Sequence, residues 1–184
     1  MEVRRQAIDG VLEVQPRVFE DERGWFVETF QAQRYLPWGI GPFVQDNASR
    51  SVPGTLRGLH VQHPSAQGKL VAATEGRVLD LALDVRVGSP TFGHHVAVEL
   101  TAAKKNQLWI PPGFAHGFLV LGESPATLVY KCTDLYAPDH ELSVSYTSVD
   151  LDWPVDAPTL SDKDLAAPRL EDIDPARLPV WSPS

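Results

Sequence analysis

Prolines and glycines recur along the whole chain and divide it into short segments. The sequence has 16 prolines and 13 glycines among 184 residues, with clusters such as Gly88-Ser89-Pro90. Proline lacks the amide hydrogen that a helix interior needs, and glycine weakens helix interiors, so this spacing disfavours long helices. The chain is therefore expected to form short strands joined by turns.

Between these breaks, several segments alternate apolar and polar residues with a period of two. Segment 78–85 places apolar residues at its odd positions and the aspartates Asp80 and Asp84 at even ones, which predicts a strand with one apolar and one wetter face. Similar strands are expected at 96–100, 107–110, 118–121 and 127–132, and one short helix at 32–36. Strands of this length and spacing predict an all-β sandwich or jelly-roll barrel.

The length and composition are those of a single globular domain. We expect one domain over 1–184, with a jelly-roll core at about 10–155 and a tail at 156–184 that packs near the site and holds helical turns within 165–178. Hydrophobic residues make up 43% and charged residues 22% of the chain, an ordinary balance for a folded domain. The formal net charge of -8 leaves no excess of Lys and Arg to neutralise phosphates, which argues against nucleic-acid binding.

The sequence shows neither a secretory signal nor a membrane-spanning run. Met1-Glu2-Val3-Arg4-Arg5 has basic residues but no apolar run after them. No stretch approaches the length of a membrane span. Cys132 is the only cysteine, so an internal disulfide is impossible and a reducing compartment is permitted. A cytoplasmic protein with no membrane partner is expected.

Four titratable side chains lie on segments that the strand pattern would bring together: His60, Lys69, His116 and Tyr130. Each of these groups can move or stabilise a proton. Either histidine alone could be an ordinary core residue, but four such groups on converging strands are costly to bury without a role. The combination predicts a metal-free acid/base site beside a polar substrate.

Other kinds of site are less well supported by the sequence. His60-Val61-Gln62 stands where a metal site in a small β-barrel would need a His-x-His pair, so His116 would lack partner ligands. The chain has no phosphate loop, dinucleotide fingerprint or Gly-x-Ser-x-Gly motif. Cys132 has no matching base motif and is predicted to be a core residue.

Nine segments in a fixed order give the chain a resemblance to the dTDP-4-dehydrorhamnose 3,5-epimerase family, over about residues 10–181. The segments are Phe19-x-Asp21-x-Arg23-Gly24-x-Phe26-x-Glu28-x-Phe30, Gln45-Asp46-Asn47-x-Ser49, Leu56-Arg57-Gly58-Leu59-His60-x-Gln62, Gln67-Gly68-Lys69, Gly88-Ser89-Pro90-Thr91-Phe92-Gly93, the run 110–118, Tyr130-Lys131-Cys132-Thr133, Trp153-Pro154, and Leu160-Ser161-Asp162-Lys163-Asp164. The resemblance implies a cupin-like jelly roll that forms homodimers, in agreement with the strand pattern.

The resemblance also implies a reaction that needs neither a cofactor nor a metal. The substrate would be a dTDP-linked 4-keto-6-deoxyhexose, whose ketone acidifies the hydrogens at C3 and C5. His60 matches the family's base, Tyr130 its acid, and Asp164 the carboxylate that orients the base. Lys69 would stabilise the oxygen of the enolate intermediate. The implied activity is 3,5-epimerisation of dTDP-4-dehydro-6-deoxy-D-glucose to dTDP-4-dehydro-L-rhamnose.

The family's substrate contacts carry over to further positions. Arg23, Arg57 and Lys163 match residues that contact the sugar nucleotide, and their positive charge suits a pyrophosphate. Tyr136 matches an aromatic residue that stacks on the thymine. The other matching polar contacts are Glu28, Gln45, Asn47, His116 and Glu141.

Several alternatives stay open at the level of sequence. Epimerisation at C3 or C5 alone and ketoisomerisation share the first enolate, and a sugar-binding cupin without catalysis would keep the same barrel. The segment 11–28, which carries Arg23 and Glu28, is expected to pair with the sheet edge of a second copy in a homodimer. Sequence does not assign these two side chains to one subunit or the other.

Overall fold

The structure of the chain, a computed structural model, describes residues 1–182 and is built mainly from strands. In chain order these are Glu2–Arg5 (β1), Leu12–Gln15 (β2), Val18–Asp21 (β3), Gly24–Val27 (β4), Gln45–Ser51 (β5), Leu56–Gln62 (β6), Lys69–Glu75 (β7), Arg77–Asp84 (β8), His95–Thr101 (β9), Gln107–Ile110 (β10), Phe114–Val120 (β11), Ala126–Cys132 (β12) and Glu141–Ser143 (β13). The all-β prediction is confirmed. Pro183 and Ser184, which end the expected tail, lie outside the described residues.

Over the part of the chain that the structure describes, helical structure is limited to single turns. The two α-helical turns are Ala32–Tyr35 (α1) and Asp162–Leu165 (α2), and 3-10 turns occur at Leu36–Trp38, Pro138–His140, Tyr146–Ser148, Leu170–Asp172 and Pro175–Arg177. The predicted early helix and the helical turns of the tail are therefore present. Within residues 1–182, no helix has the length and apolar character needed to cross a membrane.

Two antiparallel sheets face each other and enclose the main apolar core. One has the strand order β1-β2-β10-β7-β12-β5 and the other β13-β6-β11-β8-β9. The core between them joins Val71, Leu108 and Leu128 of the first sheet to Ala82 and Phe118 of the second. Burying a large apolar side chain contributes about 1.5–3 kcal/mol, so this layer is the main stabilising element. The arrangement is the predicted jelly roll.

Strand β8 differs from the prediction because both of its faces are buried. Ala82 faces the core between the sheets, whereas Leu81 packs beneath the C-terminal segment with Leu170. Asp80 and Asp84 each have 0% exposed surface, so the prediction of a wetter face is wrong. Alternation separates the two faces of a strand but does not tell which element covers each of them. Both buried aspartates therefore need partners.

Asp84 obtains its partners from the loop after β8. Arg86 donates to its two carboxylate oxygens at 2.8 and 2.7 Å, and the hydroxyls of Ser89 and Thr91 donate at 2.6 and 2.7 Å. The Arg86 guanidinium also lies over the Phe114 ring, 4.3 Å from its centroid. Burial alone raises the pKa of the Asp84 carboxyl, but these hydrogen bonds outweigh burial and hold the pKa below its usual value. The charged carboxylate thus ties this loop to the start of β11.

We predict that Asp84→Asn lowers the free energy of unfolding by about 3 kcal/mol, because it breaks a buried ion pair. Urea denaturation at neutral pH measures the loss. Asp9→Asn, at a carboxylate with 88% of its side chain exposed, is the matched control and should have little effect. Because folding lowers the pKa of Asp84, its contribution is present above the unfolded pKa and is lost as the pH falls through the folded pKa. Equal stability of Asp84→Asn and the wild type at neutral pH would contradict this account.

Candidate active site

A cavity of about 610 Å³, here called the inner cavity, opens between the two sheets. It is lined by residues of strands β5, β6, β7, β11 and β12 and by the segment 159–164 of the tail. The structure brings together there eleven of the residues that the sequence singled out: Gln45, Asn47, Arg57, His60, Lys69, His116, Tyr130, Tyr136, Glu141, Lys163 and Asp164. Strand pairing brings most of these residues together, and the β12–β13 loop and the tail supply Tyr136, Lys163 and Asp164.

Strand β5 gives the inner cavity one polar wall. Gln45, Asn47 and Ser49 alternate with more exposed residues and line the cavity, as the period of two requires. The strand lies at the edge of its sheet and pairs with β12. This pairing sets Asn47 opposite Tyr130. An amide and a phenol therefore face the cavity side by side.

Two glycines allow strands β6 and β11 to approach closely. A Cβ atom on Gly58 would lie 2.6 Å from the carbonyl oxygen of His116, and one on Gly117 would lie 2.7 Å from the carbonyl oxygen of Arg57. Gly58 also has a φ of +105°, which disfavours any other residue. The pairing places His60 directly opposite His116. The close contact between the backbones thus brings the two histidines to facing positions.

His60 is held by a carboxylate from the tail. Its Nε2 lies 2.6 Å from Oδ1 of Asp164, which is 5% exposed. The Ser161 hydroxyl caps α2 by accepting a hydrogen bond from the backbone N–H of Asp164. Burial alone raises the pKa of the Asp164 carboxyl, but the hydrogen bond with His60 outweighs it and lowers the pKa. The tail therefore supplies an anion that orients the imidazole ring. Because Asp164 bonds to Nε2, it leaves Nδ1 of His60 free of this hydrogen bond.

A second histidine–carboxylate pair lies deeper in the inner cavity. Nε2 of His116 is 3.1 and 3.0 Å from the two carboxylate oxygens of Asp80. Complete burial raises the pKa of the Asp80 carboxyl, and His116 counteracts the rise. Asp80 was missed as a site residue by the sequence analysis, which placed it on a wet face. The sequence signal that could have identified Asp80 is its position among the apolar residues of segment 78–85.

Lys69 and Tyr130 add a buried cation and a phenol to this group. Lys69 is 9% exposed, and among residues 1–182 its ammonium has no ion pair or hydrogen bond with another side chain. Burial lowers its pKa, while Cys132, Glu141 and Asp80 counteract part of the effect. Burial also raises the pKa of Tyr130, whose ring lies 6.5 Å from that of His116.

The remaining polar residues of the inner cavity lie nearer to solvent. Arg57 donates its Nε–H to the Ser51 hydroxyl at 2.8 Å, so the rest of its guanidinium is left for other partners. Lys163 forms an ion pair with Glu141, which also accepts a hydrogen bond from the Tyr136 hydroxyl at 3.3 Å. Tyr136 is 53% exposed. This rim combines two cations with an accessible aromatic ring.

Two residues predicted for the site do not line the inner cavity. Arg23 lies at the turn of the β3–β4 hairpin and forms an ion pair with Asp21. Glu28 pairs with Arg34 at 3.0 Å. Both side chains face regions away from the cavity of their own chain. The structure of one chain therefore separates them from the other candidates.

The arrangement suits the removal and return of a proton on an anionic, polar substrate. An imidazole held by a carboxylate can take up a proton, and a phenol of raised pKa can supply one. A buried ammonium can stabilise negative charge that develops between them. The cations and the aromatic ring at the rim match a phosphorylated group joined to a planar base.

Known proteins of similar sequence and structure are sugar-nucleotide epimerases. The family model described as dTDP-4-dehydrorhamnose 3,5-epimerase matches residues 5–172. The dTDP-4-dehydrorhamnose 3,5-epimerase of Pseudomonas aeruginosa is 51% identical over 180 residues, which cover 95% of this chain and 98% of that protein. The crystal structure of the dTDP-6-deoxy-D-glucose-3,5-epimerase from Legionella pneumophila, in complex with dTDP-4-keto-L-rhamnose, has a TM-score of 0.95 at 48% identity and covers 99% of each chain.

A relative with a narrower reaction has a similar structure. The 3'-monoepimerase ChmJ from Streptomyces bikiniensis, in complex with dTDP-quinovose, has a TM-score of 0.87 at 35% sequence identity. The alignment covers 95% of this chain and 91% of that chain. The fold is therefore shared by enzymes that differ in the number of carbons they invert.

Proposed function

Because the chain belongs to the dTDP-4-dehydrorhamnose 3,5-epimerase family, we propose that its inner cavity inverts C3 and C5 of a dTDP-linked 4-keto-6-deoxyhexose. The reaction converts dTDP-4-dehydro-6-deoxy-D-glucose to dTDP-4-dehydro-L-rhamnose, a step in the biosynthesis of rhamnose. The protein is an isomerase. The observation that carries the assignment is the carboxylate-held His60, which shares one polar cavity with Tyr130 and the buried ammonium of Lys69.

His60 acts as the base in this mechanism. The 4-ketone acidifies the C–H bonds at C3 and C5, so removal of either proton sends the bonding electrons to the ketone oxygen and forms an enolate. With Nε2 of His60 held by Asp164 at 2.6 Å, and Nδ1 at 3.9 Å from Oε1 of Glu141, beyond hydrogen-bond distance, Nδ1 is the nitrogen available to the substrate. Asp164 then stabilises the imidazolium that forms.

Lys69 and Tyr130 complete each inversion. The Lys69 ammonium stabilises the enolate oxygen, and its buried position makes this interaction stronger than it would be in water. Tyr130 returns a proton to the opposite face of the carbon, and its raised pKa keeps the phenol protonated until that step. Removal on one face and return on the other reverses the configuration.

The rim of the inner cavity binds the nucleotide part of the substrate. Arg57 and Lys163 carry the positive charge that suits the diphosphate. The exposed ring of Tyr136 provides a surface on which the thymine stacks. The other proposed substrate contacts are Gln45, Asn47, His116 and Glu141.

A reaction at one carbon is the second candidate, because a similar structure is that of a 3'-monoepimerase. Both reactions begin with the same proton abstraction and use the same base. A ketoisomerase or a sugar-binding protein without catalysis would share the fold but not the exchange pattern. The pattern of solvent exchange distinguishes all of these cases.

In heavy water, we predict that the wild-type protein introduces deuterium at both C3 and C5 of the substrate, as followed by NMR. His60→Ala should lower exchange at both carbons by about 10²- to 10⁴-fold, the usual contribution of general base catalysis. Tyr130→Phe should still allow His60 to exchange a proton on its own face, without inversion.

His94→Ala is the matched control for that experiment, because this exposed histidine lies outside the inner cavity and should leave exchange unchanged. Deuterium at one carbon only would support the monoepimerase reading. Exchange near the wild-type rate in His60→Ala would refute the assignment of the base.

The charge of Lys69 should set the alkaline limit of activity. Burial lowers the pKa of Lys69, so the ammonium loses its proton at a lower pH than an ordinary lysine does. We predict that kcat/KM declines at a pH below the one at which an ordinary lysine, with a pKa of about 10.4, loses its charge. Lys69→Arg should move this fall to higher pH because a guanidinium keeps its charge. The exposed Lys104→Arg is the control, and an unchanged alkaline limb in Lys69→Arg would count against the role of the ammonium.

The protein is further proposed to act as a homodimer whose two copies share their sites. Trp25 and Phe26 of the β3–β4 hairpin are 59% and 67% exposed, an uncommon state for such large apolar side chains. A mostly apolar cleft of about 560 Å³ lies between this hairpin and the outer face of the six-stranded sheet. A second copy fits both features. Arg23 and Glu28 would then reach the inner cavity of the other copy. A cytoplasmic location stays a prediction.

Mixed dimers test this sharing of sites. Arg23→Ala and His60→Ala each damage both sites of their own homodimer. In a heterodimer of the two, symmetry gives one site with two defects and one site with intact His60 and intact Arg23. Co-expression of the two variants should therefore restore roughly a quarter of the wild-type sites. The measurement is kcat/KM at low substrate concentration. Activity no greater than the sum of the separate variants would place Arg23 in the site of its own chain.

A further inference from the structure

The loop between β12 and β13 carries Tyr136 and is held by glutamine side chains from three separate parts of the chain. Gln67 donates to the carbonyl of Asp134 at 2.8 Å, and Gln62 donates to the carbonyl of Leu135 at 3.2 Å. Gln45 accepts from the backbone N–H of Tyr136 at 2.9 Å. Gln62 also accepts from the N–H of Ala137 at 2.9 Å. Each of the four consecutive loop residues, 134–137, thus has a backbone bond to one glutamine.

Gln62 has almost no hydrogen-bonding capacity left for a ligand. A glutamine amide has two N–H donors and an oxygen with two lone pairs. Its nitrogen donates to the carbonyls of Ser65 at 2.9 Å and Leu135 at 3.2 Å, and its oxygen accepts from Ala137. Gln62 is 3% exposed. Although it borders the inner cavity, its amide is used by the loop.

Gln67 and Gln45 also bond to the loop, each through one side-chain atom. Gln67 is 7% exposed, and its amide nitrogen is bonded to the loop. The Gln45 side-chain oxygen accepts from the N–H of Tyr136, and its nitrogen donates to the Asn47 side-chain oxygen at 3.1 Å. Gln45 thus helps to hold the loop while it also lines the inner cavity.

Apolar burial contributes little to the position of this loop. Leu135 is 60% exposed and Tyr136 is 53% exposed, so neither side chain anchors the backbone in a core. Hydrogen bonds hold the loop instead, and beside those of the glutamines they include the two bonds between Gly68 and Thr133, at 2.8 and 3.0 Å, and the bond from Tyr136 to Glu141. A surface fixed before binding loses less conformational entropy when the ligand arrives.

We propose that Gln62 and Gln67 are positioning residues, which hold the Tyr136 ring ready to receive the nucleobase of the substrate. The proposal rests on the function assigned above and adds to it the source of nucleotide affinity. Gln62 and Gln67 act through the loop backbone and not on the reacting carbons. Their loss therefore weakens binding of the base and leaves the proton transfers unchanged.

The test is Gln67→Met, which keeps the size and flexibility of the side chain but removes the donor to Asp134. KM for the sugar nucleotide should rise roughly 3- to 10-fold with kcat unchanged, the effect of losing about one hydrogen bond. Calorimetry should show the same loss for dTDP and none for inorganic pyrophosphate, which lacks the base. Gln67→Asn, which keeps an amide on a shorter side chain, is a second variant with the same expected result.

Gln15→Met is the matched control, because Gln15 also donates to a backbone carbonyl, that of Lys104 at 2.8 Å, but lies away from the inner cavity. It should leave KM and both dissociation constants unchanged. In a Tyr136→Ala background, Gln67→Met should add no further loss of dTDP affinity. An additive loss in that background, a lowered kcat, or unchanged dTDP binding in both Gln67 variants would overturn the proposal. If instead the wild type bound no dTDP, or Tyr136→Ala left its affinity unchanged, the assigned function of the rim would fail, independently of the glutamines.

Discussion

The close contact between strands β6 and β11 at Gly58 and Gly117 is the constraint on which the site depends. A side chain at either glycine would overlap the backbone of the facing strand, at 2.6 to 2.7 Å. Because the strands approach this closely, His60 stands opposite His116, and the N–H of Gly58 points at Asp164, 3.5 Å from Oδ2. The imidazoles and the carboxylate are therefore organised around a contact that contains no side chain. Such backbone contacts position groups more rigidly than flexible side chains can.

Much of the architecture could be predicted from the sequence because short alternating segments between prolines and glycines admit few other folds. The strands near 96–100, 107–110 and 127–132 lie where the alternation predicts them. The strand expected at 118–121 begins earlier, at Phe114, because its first residues follow the motif-rich run after Pro112 without alternation. Strand β1 was not predicted, since Glu2–Arg5 has little apolar pattern and is ordered by pairing with β2.

The candidate site was predictable where titratable residues stand out from their surroundings, and less so where burial depends on distant segments. His60, Lys69, His116 and Tyr130 could be grouped from their strands, whereas Asp164 needed the resemblance because its own segment reads as a solvated loop. Asp80 escaped notice because alternation alone does not reveal that a tail from far along the chain covers the opposite face of β8. Arg23 and Glu28 are the opposite case. The resemblance predicts them for the site, but within one chain they lie outside the inner cavity.

The tail that supplies Asp164 also covers the apolar outer face of the five-stranded sheet, with Leu170, Ile173 and Leu178. On the ribosome, all the strands emerge before this segment does. Until the tail docks, the catalytic base His60 therefore lacks its carboxylate partner, and one apolar face of the barrel is uncovered. Docking of the tail brings Asp164 to His60 and covers the apolar face in one step. Loss of this segment would therefore remove the carboxylate from His60 and expose apolar surface at the same time, so the order of the site and the burial of the outer face depend on one and the same docking contact.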